Sequence, residues 1–344
     1  MRVTFFLAEA GEELDVLRSL DPDRDWRRLQ RGERAWVLQT FLRMARAGHP
    51  VRLASEVPER GLVVFHVKHR RALLEARRRR RGLAVERLPA PARGPRQGPF
   101  FVAVRGDLRA SRTADFEVVQ NRGSAVRGRA FFIPHWPQPG LRPRDPERGA
   151  AIARVAYKGF DRNLHPYFRT PEWRAFLAAR GVEWVIDSAP FAEDGKDHAA
   201  LDWPDFHAVD AVLAVRPEGL PRPDGKPATK LYNAWLAGVP ALLGPDPAFA
   251  EIRRSPLDYL EVETPEDARD GLCRLLDHPE LYRRMVANGR RRADEYSTGA
   301  ILDRWCELFE DLLPRALAER EGRRAWRLPL QLKRWAERAA NVFA

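Results

Sequence analysis

The sequence predicts an α/β protein with two Rossmann-like, doubly wound parallel-sheet domains facing each other across a cleft, followed by C-terminal helices. Three observations predict it. Strand-like and helix-like runs alternate along the chain, as they do in parallel α/β architecture. The length of 344 residues suits two domains at roughly 150 residues each. The charge also divides along the chain. Residues 1–150 hold 31 basic and 17 acidic side chains, whereas residues 151–344 hold 29 and 31. All of the net +12 therefore belongs to the first half. The division falls at a segment crowded with Pro134, Pro137, Pro139, Pro143 and Pro146. Neither a helix nor a central strand runs through such a segment. The expected domains are 1–133, a linker 134–150, a second domain 151–318 and a tail 319–344. Apolar residues at 44% and charged residues at 31% exclude a polytopic membrane protein and a collagen-like chain, and argue against wholesale disorder.

The elements follow in order. Arg2–Ala8 reads as a first strand, and its mostly apolar run Val3–Ala8 is too short for a signal segment or a membrane span. Gly32–Ala47 reads as a helix, with Val37, Phe41, Met44 and Ala45 on one face, stopped by Gly48 and Pro50. Val51–Ala54 and Leu62–His66 read as strands, then His69–Arg81 as a basic helix and Leu88–Pro99 as a loop. Phe100–Arg105, Glu117–Gln120 and Phe131–Ile133 complete the first set of strands. In the second half, strands are expected at Ile152–Tyr157, Glu183–Asp187, Asp210–Val215, Val239–Leu243 and Tyr259–Val262. Helices are expected at Pro171–Arg180, Lys230–Ala237, Asp246–Arg254 and from Pro265 onward. Cys273 and Cys306 are the only cysteines. They form neither a disulfide framework nor a zinc site and suit a reducing, cytoplasmic compartment.

Open parallel sheets bind ligands beyond the carboxyl ends of their strands, and polar residues collect there. In the first half these are His66, then Arg105 with Asp107, then Gln120 and Asn121. In the second half they are Gly159, Asp161, Arg162 and Asn163 after one strand, Asp187 after the next and Arg216 after a third. Loops are polar in any case, so the weight lies in the repeated placement.

The sharpest element is the run Gly225–Pro240, Gly-Lys-Pro-Ala-Thr-Lys-Leu-Tyr-Asn-Ala-Trp-Leu-Ala-Gly-Val-Pro. Only six of the 60 basic residues are lysines, and two of them, Lys226 and Lys230, stand in this loop. Thr229 is placed to N-cap a short helix beginning with Lys230 and Leu231. A helix N-terminus offers N–H groups and a positive dipole end to an anion. Two lysines beside it suit a diphosphate, above all one gaining charge as a leaving group. Gly238 lets the helix end and the chain turn into the next strand.

With these residues in view, the second half resembles the donor domain of GT-B-fold glycosyltransferases of the group-one, family-4-like class. The resemblance covers roughly Ile152–Leu313. It rests on Asn233–Pro240 before a buried strand, Glu251 to Arg254, Asp258–Val262, Thr264–Asp267, His278–Leu281, Asn288–Arg290 and the loop Tyr157–Leu164. It implies transfer of a hexosyl-type sugar from a nucleoside-diphosphate sugar to an acceptor hydroxyl, with no metal and no cofactor. The diphosphate-neutralising role carries over to Arg162, Lys226 and Lys230, with Arg216 as a further candidate. Gly159, Asp161, Asn163, Asp187, Thr229, Leu231 and Asn233 complete the implied donor side. The family has Glu where Asn233 stands, holding the donor ribose. Its other Glu would fall at Gly225, with Asp224 one residue out of register. Those departures point to a divergent branch or an altered donor.

A general base, if the reaction inverts, belongs in the first half, where His66 and Asp107 are the candidates. A single His at a strand end also reads as a structural residue. Arg105, Gln120 and Asn121 fall on the acceptor side. The Asp23-Arg24-Asp25 triplet resembles a metal-binding Asp-x-Asp but precedes a helix rather than following a strand. His66 and His69 alone make a poor metal pair. The run Arg77–Arg81 suits an anionic membrane surface, and so a lipid-linked or glycan acceptor in envelope synthesis on the cytoplasmic face. In the tail Arg323–Phe343, Leu328, Leu332, Trp335, Ala339 and Val342 oppose Arg327, Lys333, Arg334 and Arg338. That amphipathic pattern either lies in a membrane interface or packs on the protein. Two other readings remain open: a sugar-nucleotide epimerase of the same fold, and a nucleic-acid-binding protein using the basic half. No recognised nucleic-acid motif supports the second.

Overall fold

The computed structural model describes residues 2–9, 11–30, 32–80, 98–189, 202–220 and 225–321. The segment 88–97, the end of the arginine run, Asp224 and the tail 323–343 lie outside the described residues. The chain divides into two compact units. One runs to His135 and resumes at Ile301, and the other is Trp136–Ala300.

The first unit opens with β1 (Val3–Phe6), α1 (Gly11–Ser19), a π-helical turn Arg34–Leu38 leading into α2 (Gln39–Arg46), β2 (Val51–Ala54) and β3 (Leu62–His66). It continues with α3 (Arg70–Arg80), β4 (Phe100–Val104), β5 (Phe116–Val119) and β6 (Ala130–Phe132). The sheet order is β2-β1-β3-β4-β5-β6, parallel throughout. Strands buried on both faces are nearly all apolar, and β3 and β4 show this as Leu-Val-Val-Phe-His and Phe-Phe-Val-Ala-Val. One face packs Phe6, Val63, Phe65 and Phe101 against Leu73 and Ala76 of α3. On the other, Phe5 meets Phe41 of α2 and Phe309, both with ring centroids 6.2 Å apart. Helix α1 is absent from the sequence expectation, although Glu12 and Glu13 in its first turn, Arg18 in its last, and buried Leu14 and Leu17 mark it. The Asp-x-Asp triplet has structural duties. Arg43 donates to both Asp23 oxygens at 3.1 and 2.9 Å, and Asp25 accepts from the Asp21 N–H at 2.7 Å.

The second unit runs β7 (Arg154–Phe160), α4 (Pro171–Ala178), β8 (Glu183–Ala189), β9 (Ala211–Ala214), α5 (Thr229–Ala237), β10 (Ala241–Leu243), α6 (Pro247–Ile252) and β11 (Leu260–Glu261). Helices α7 (Pro265–Asp277) and α8 (Pro279–Ala293) follow, and α9 (Thr298–Glu307) leads to α10 (Leu313–Glu321). The sheet order is β11-β10-β9-β7-β8, again parallel. Alternate residues of the central strands enter different cores. Val155, Tyr157, Ala211 and Leu213 join Trp173, Leu272 and Tyr282 on one side. Ala156 and Val212 join Leu231, Trp235 and Phe249 on the other. Period-two alternation with apolar residues on both faces is the mark of a doubly wound sheet.

The proline-rich segment is built into the second unit. Arg142 donates its backbone N–H to Pro204 O and Arg144 donates its own to Ala237 O, both at 2.9 Å. The Arg144 side chain reaches the buried carboxylate of Asp210 through Nε at 2.9 Å, and Arg148 takes both oxygens at 2.8 and 2.7 Å. The same carboxylate accepts the N–H groups of Ala153 and Arg154, each at 2.8 Å. The helices from Ile301, which the sequence division places in the second domain, group with the first unit.

Burial pushes the Asp210 carboxyl up, but its bonds from Arg148, from the two N–H groups and from Arg144 outweigh that and hold it below the usual range. A depressed carboxylate pKa contributes stability that is present above the unfolded value and lost as pH falls through the folded one. Asp210→Asn leaves two arginines facing a neutral group. It is expected to cost about 3–5 kcal/mol in urea denaturation at pH 7, with the difference from wild type shrinking under acid conditions.

Candidate functional site

In each sheet the second strand lies on one side of the first, and the third and later strands lie on the other. The chain therefore reverses direction across the sheet between β1 and β3, and again between β7 and β9. Ligands of doubly wound sheets sit at this switch point, beyond the carboxyl ends of the strands.

In the second unit that place is built from the end of β7, the residue after Val215 and the start of α5. Strand β7 is longer than the sequence suggests. Gly159 lies inside it rather than after it, and Asp187 lies inside β8, because the two strands pair along seven positions. That register sets Lys158 opposite Asp187, and the ammonium reaches Oδ2 at 3.1 Å. Lys158 is a cation at this strand end that the sequence reading missed. Its partner becomes visible only once the strands are paired.

Lys230 is half-buried in the first turn of α5. Its Nζ donates to the Lys158 carbonyl and stands 4.8 Å from the centroid of the Tyr157 ring. A Cβ on Gly159 would lie 2.6 Å from that nitrogen and 2.9 Å from the Tyr157 hydroxyl. Glycine at 159 is thus what lets the lysine enter. Among the described residues no carboxylate forms an ion pair with Lys230. Burial, then the neighbouring Arg216 guanidinium, push its pKa down to about 8, with Asp246 opposing them. Arg216 itself is held, donating through Nε to Asp246 Oδ2 and through Nη1 to Asn163 Oδ1, both at 2.9 Å. A concentration of positive charge with incomplete neutralisation suits an anion.

The remaining expected donor-side residues are distributed around this point. Asp161 accepts from Arg169 and from Ser188, both at 2.5 Å. Arg162 is exposed in the turn Asp161–Asn163, and Lys226 is half-buried in the loop before α5. Thr229 does not cap the helix. Ala228 occupies the N-cap position and Thr229 is the first helical residue. Leu231 is fully buried in the core, and its N–H bonds Ala228 O at 3.0 Å. Asn233 turns its Oδ1 to the Gln138 N–H at 3.1 Å, so that oxygen secures the proline-rich segment. Gly238 ends the helix with φ +73°, as its sequence position requires.

In the first unit, His66 is 2% exposed at the end of β3. Its Nδ1 accepts the Lys68 N–H at 3.4 Å. Burial, then the charges of His69 and Lys68, push its pKa down to about 3, so the ring is neutral. Asp107 is exposed after β4. Arg105 donates through Nε to Leu108 O at 2.7 Å. Gln120 and Asn121 are buried just after β5. The sequence reading missed Trp36 and His135, whose rings meet edge to face with centroids 3.9 Å apart. Among the described residues no three His, Cys, Asp or Glu side chains are grouped to hold a metal ion. No helix among them is long and apolar enough to cross a membrane.

An unneutralised, partly buried ammonium costs stability. Lys230→Met is expected to raise the melting temperature of the ligand-free protein at pH 7. The folded pKa is about 8 and the unfolded one about 10.4, so the unfolded chain binds the extra proton between them. Wild-type stability therefore gains from rising pH across that window, and the gap to the variant closes by about pH 10 in parallel thermal melts.

No protein-family model matches the sequence, and no curated protein matches it. Solved structures do match in fold. A sucrose-phosphate synthase from Thermosynechococcus elongatus superposes with TM-score 0.53 over 92% of this chain and 100% of its own, at 12% identity. HepE from Anabaena, in complex with UDP and glucose, gives TM-score 0.50 over 90% of this chain and 99% of its own, at 13% identity. Its complex with UDP-glucose gives the same values. With two doubly wound parallel sheets, a helical C-terminal end and these likenesses, the chain has the GT-B fold of glycosyltransferases.

Proposed function

We propose that the protein is a glycosyltransferase that takes a sugar from a nucleoside-diphosphate sugar and passes it to an acceptor hydroxyl. The observation that carries this reading is Lys230, a partly buried ammonium without a carboxylate partner among the described residues, entering over Gly159 at the β7/β9 switch point. The fold likenesses add to it, since HepE was crystallised with UDP-glucose.

In the reaction, the bond from the anomeric carbon to the diphosphate oxygen breaks and that carbon bonds the acceptor oxygen. The acceptor proton leaves to a base or to the departing phosphate. The diphosphate gains negative charge as the bond breaks, so a fixed cation stabilises the transition state more than the ground state. Lys230 supplies that cation. Arg216, held between Asp246 and Asn163, and the exposed Arg162 add to the positive field. No step here is assigned to a metal. The basic first half, with α3 on its surface, suits an acceptor carried by an anionic membrane, and so an envelope glycan or glycolipid on the cytoplasmic face.

A panel of UDP, GDP, ADP and dTDP tests the reading by thermal shift. At least one is expected to stabilise the protein, and Lys230→Met is expected to lose that shift or weaken the nucleotide at least about tenfold, the worth of one charge-assisted contact. No shift from any of the four contradicts the reading. Because the diphosphate needs the protonated lysine, affinity is expected to fall as pH rises above about 8. In titrations from pH 7 to 9.5, wild type shows this loss and Lys230→Met does not. Gly159→Ala drives a methyl group toward the ammonium and is expected to weaken the nucleotide as well, read in the same titration.

A further inference from the structure

The second unit carries a cleft of about 460 Å³ away from the β7/β9 switch point, a volume within the roughly 300–1,000 Å³ of small-molecule sites. One wall is the proline-rich segment at Pro143, Pro146 and Gly149, and another is the end of α5 at Leu236 and Gly238. The third is a face of α8. There Val286, Ala287 and Arg290 follow Arg283 by three, four and seven residues, so the two arginines lie about 10 Å apart along one side of the helix. Gly149 leads toward β7 and Gly238 toward β10. The cleft is therefore at the amino ends of the strands, the opposite edge of the sheet from Lys230.

Its charge is one-sided. Three arginines and no acidic side chain line it, in a part of the chain, residues 151–344, where 31 acidic residues outnumber 29 basic ones. Asp145 and Glu147 alternate with lining residues in sequence but do not line the cleft. Arg144, in the floor, is fully engaged. It pairs with Asp210, and its other donors meet the carbonyls of Gly149, Arg148 and Ala151. Tyr282 beside it donates to Asp210 O at 3.0 Å, so the floor is fixed. Arg283 and Arg290 are exposed, and among the described residues neither forms a hydrogen bond or an ion pair. The end of α5 does not supply one. A Cβ on Gly238 would stand 4.0 Å from Nε and Nη2 of Arg290, yet the carbonyls there are already taken. Ala234 O accepts from Val239, Trp235 O from Gly238 and Ala237 O from Arg144.

We propose that this cleft binds a soluble phosphate monoester, with the phosphoryl group between Arg283 and Arg290 and the organic body along Val286, Ala287 and Leu236. Two guanidinium groups without counter-charge match a dianion. A phosphate monoester carries about −1.5 to −2 at neutral pH, where a carboxylate carries a single charge. Guanidinium forks also take phosphate oxygens in pairs. The volume exceeds what one phosphate fills, and the wall between the arginines is apolar, so the ligand has a body as well as a charge. The site stands on its own residues and does not depend on the transferase reading.

Calorimetric titration tests this on the full-length Lys230→Met protein, which lacks the cation of the other anion site, and on wild type in parallel. The probes are phenyl phosphate, inorganic phosphate and benzyl alcohol. Phenyl phosphate is expected to bind both proteins, inorganic phosphate more weakly, and benzyl alcohol not at all. Arg283→Gln and Arg290→Gln, each added to Lys230→Met, are expected to weaken phenyl phosphate about tenfold, the worth of one charge-assisted hydrogen bond. Both arginines are exposed, and an unchanged urea midpoint shows that the variants keep the fold. The inference is overturned if phenyl phosphate does not bind, if neither arginine variant weakens it, or if inorganic phosphate binds equally well. Vesicles of phosphatidic acid and phosphatidylcholine in equal parts separate a lipid headgroup from a soluble ester. Binding to the vesicles without binding of phenyl phosphate also overturns it.

Discussion

The second unit depends on one buried carboxylate. Asp210 is fully buried just before β9 and accepts the N–H groups that open β7, so it fixes the two central strands against each other at their amino ends. Its charge is met by Arg144 and Arg148, which draw the proline-rich segment onto the same place. A buried ion pair is retained only with its hydrogen bonds complete, and here the backbone completes them. The register that Asp210 sets at one end determines what meets at the other. Gly159 and Arg216 arrive at the carboxyl ends of the same two strands, where α5 delivers Lys230.

The candidate site is therefore a consequence of strand order and register. Parallel strands with a reversal in their order leave a crevice at their carboxyl ends, and the chain places charge there without full compensation. Lys230 lies over an aromatic ring and against a carbonyl, two contacts that hold an ammonium in place without neutralising it. Arg216, by contrast, is fixed by Asp246 and Asn163 and so contributes a stationary field. The first unit repeats the topology with different chemistry. Its switch point carries the buried imidazole of His66, with Gly106, the Trp36 indole and the Lys68 ammonium close by.

Much of this was legible in the sequence. The alternation of elements gave both sheets, and the rarity of lysine singled out Lys230 before any contact was known. What the sequence concealed has a common cause, since it depends on which strands pair and how. Lys158 reads as a strand residue until the register sets it opposite Asp187. Arg144 reads as a linker arginine until Asp210 is seen to be buried beside it. Thr229 has a capping side chain, but the helix begins one residue too early for it to act. Trp36 and His135 are far apart in sequence and meet only in the folded unit. His66 was visible as a strand-end histidine. Its contact with the Lys68 N–H was not, because that follows from the fold of the next two residues.

The central claim is that Lys230 is the diphosphate's counter-ion, and proton uptake tests it most directly. Calorimetric titration of UDP at pH 8, in buffers of different ionisation enthalpy, counts protons taken up on binding. A lysine with a free-state pKa of about 8 is half protonated there, and pairing with phosphate completes it. The account predicts uptake of about half a proton per nucleotide at pH 8, and none in Lys230→Met. UDP binding with no proton uptake at pH 8, or with the same uptake in the variant, would contradict it.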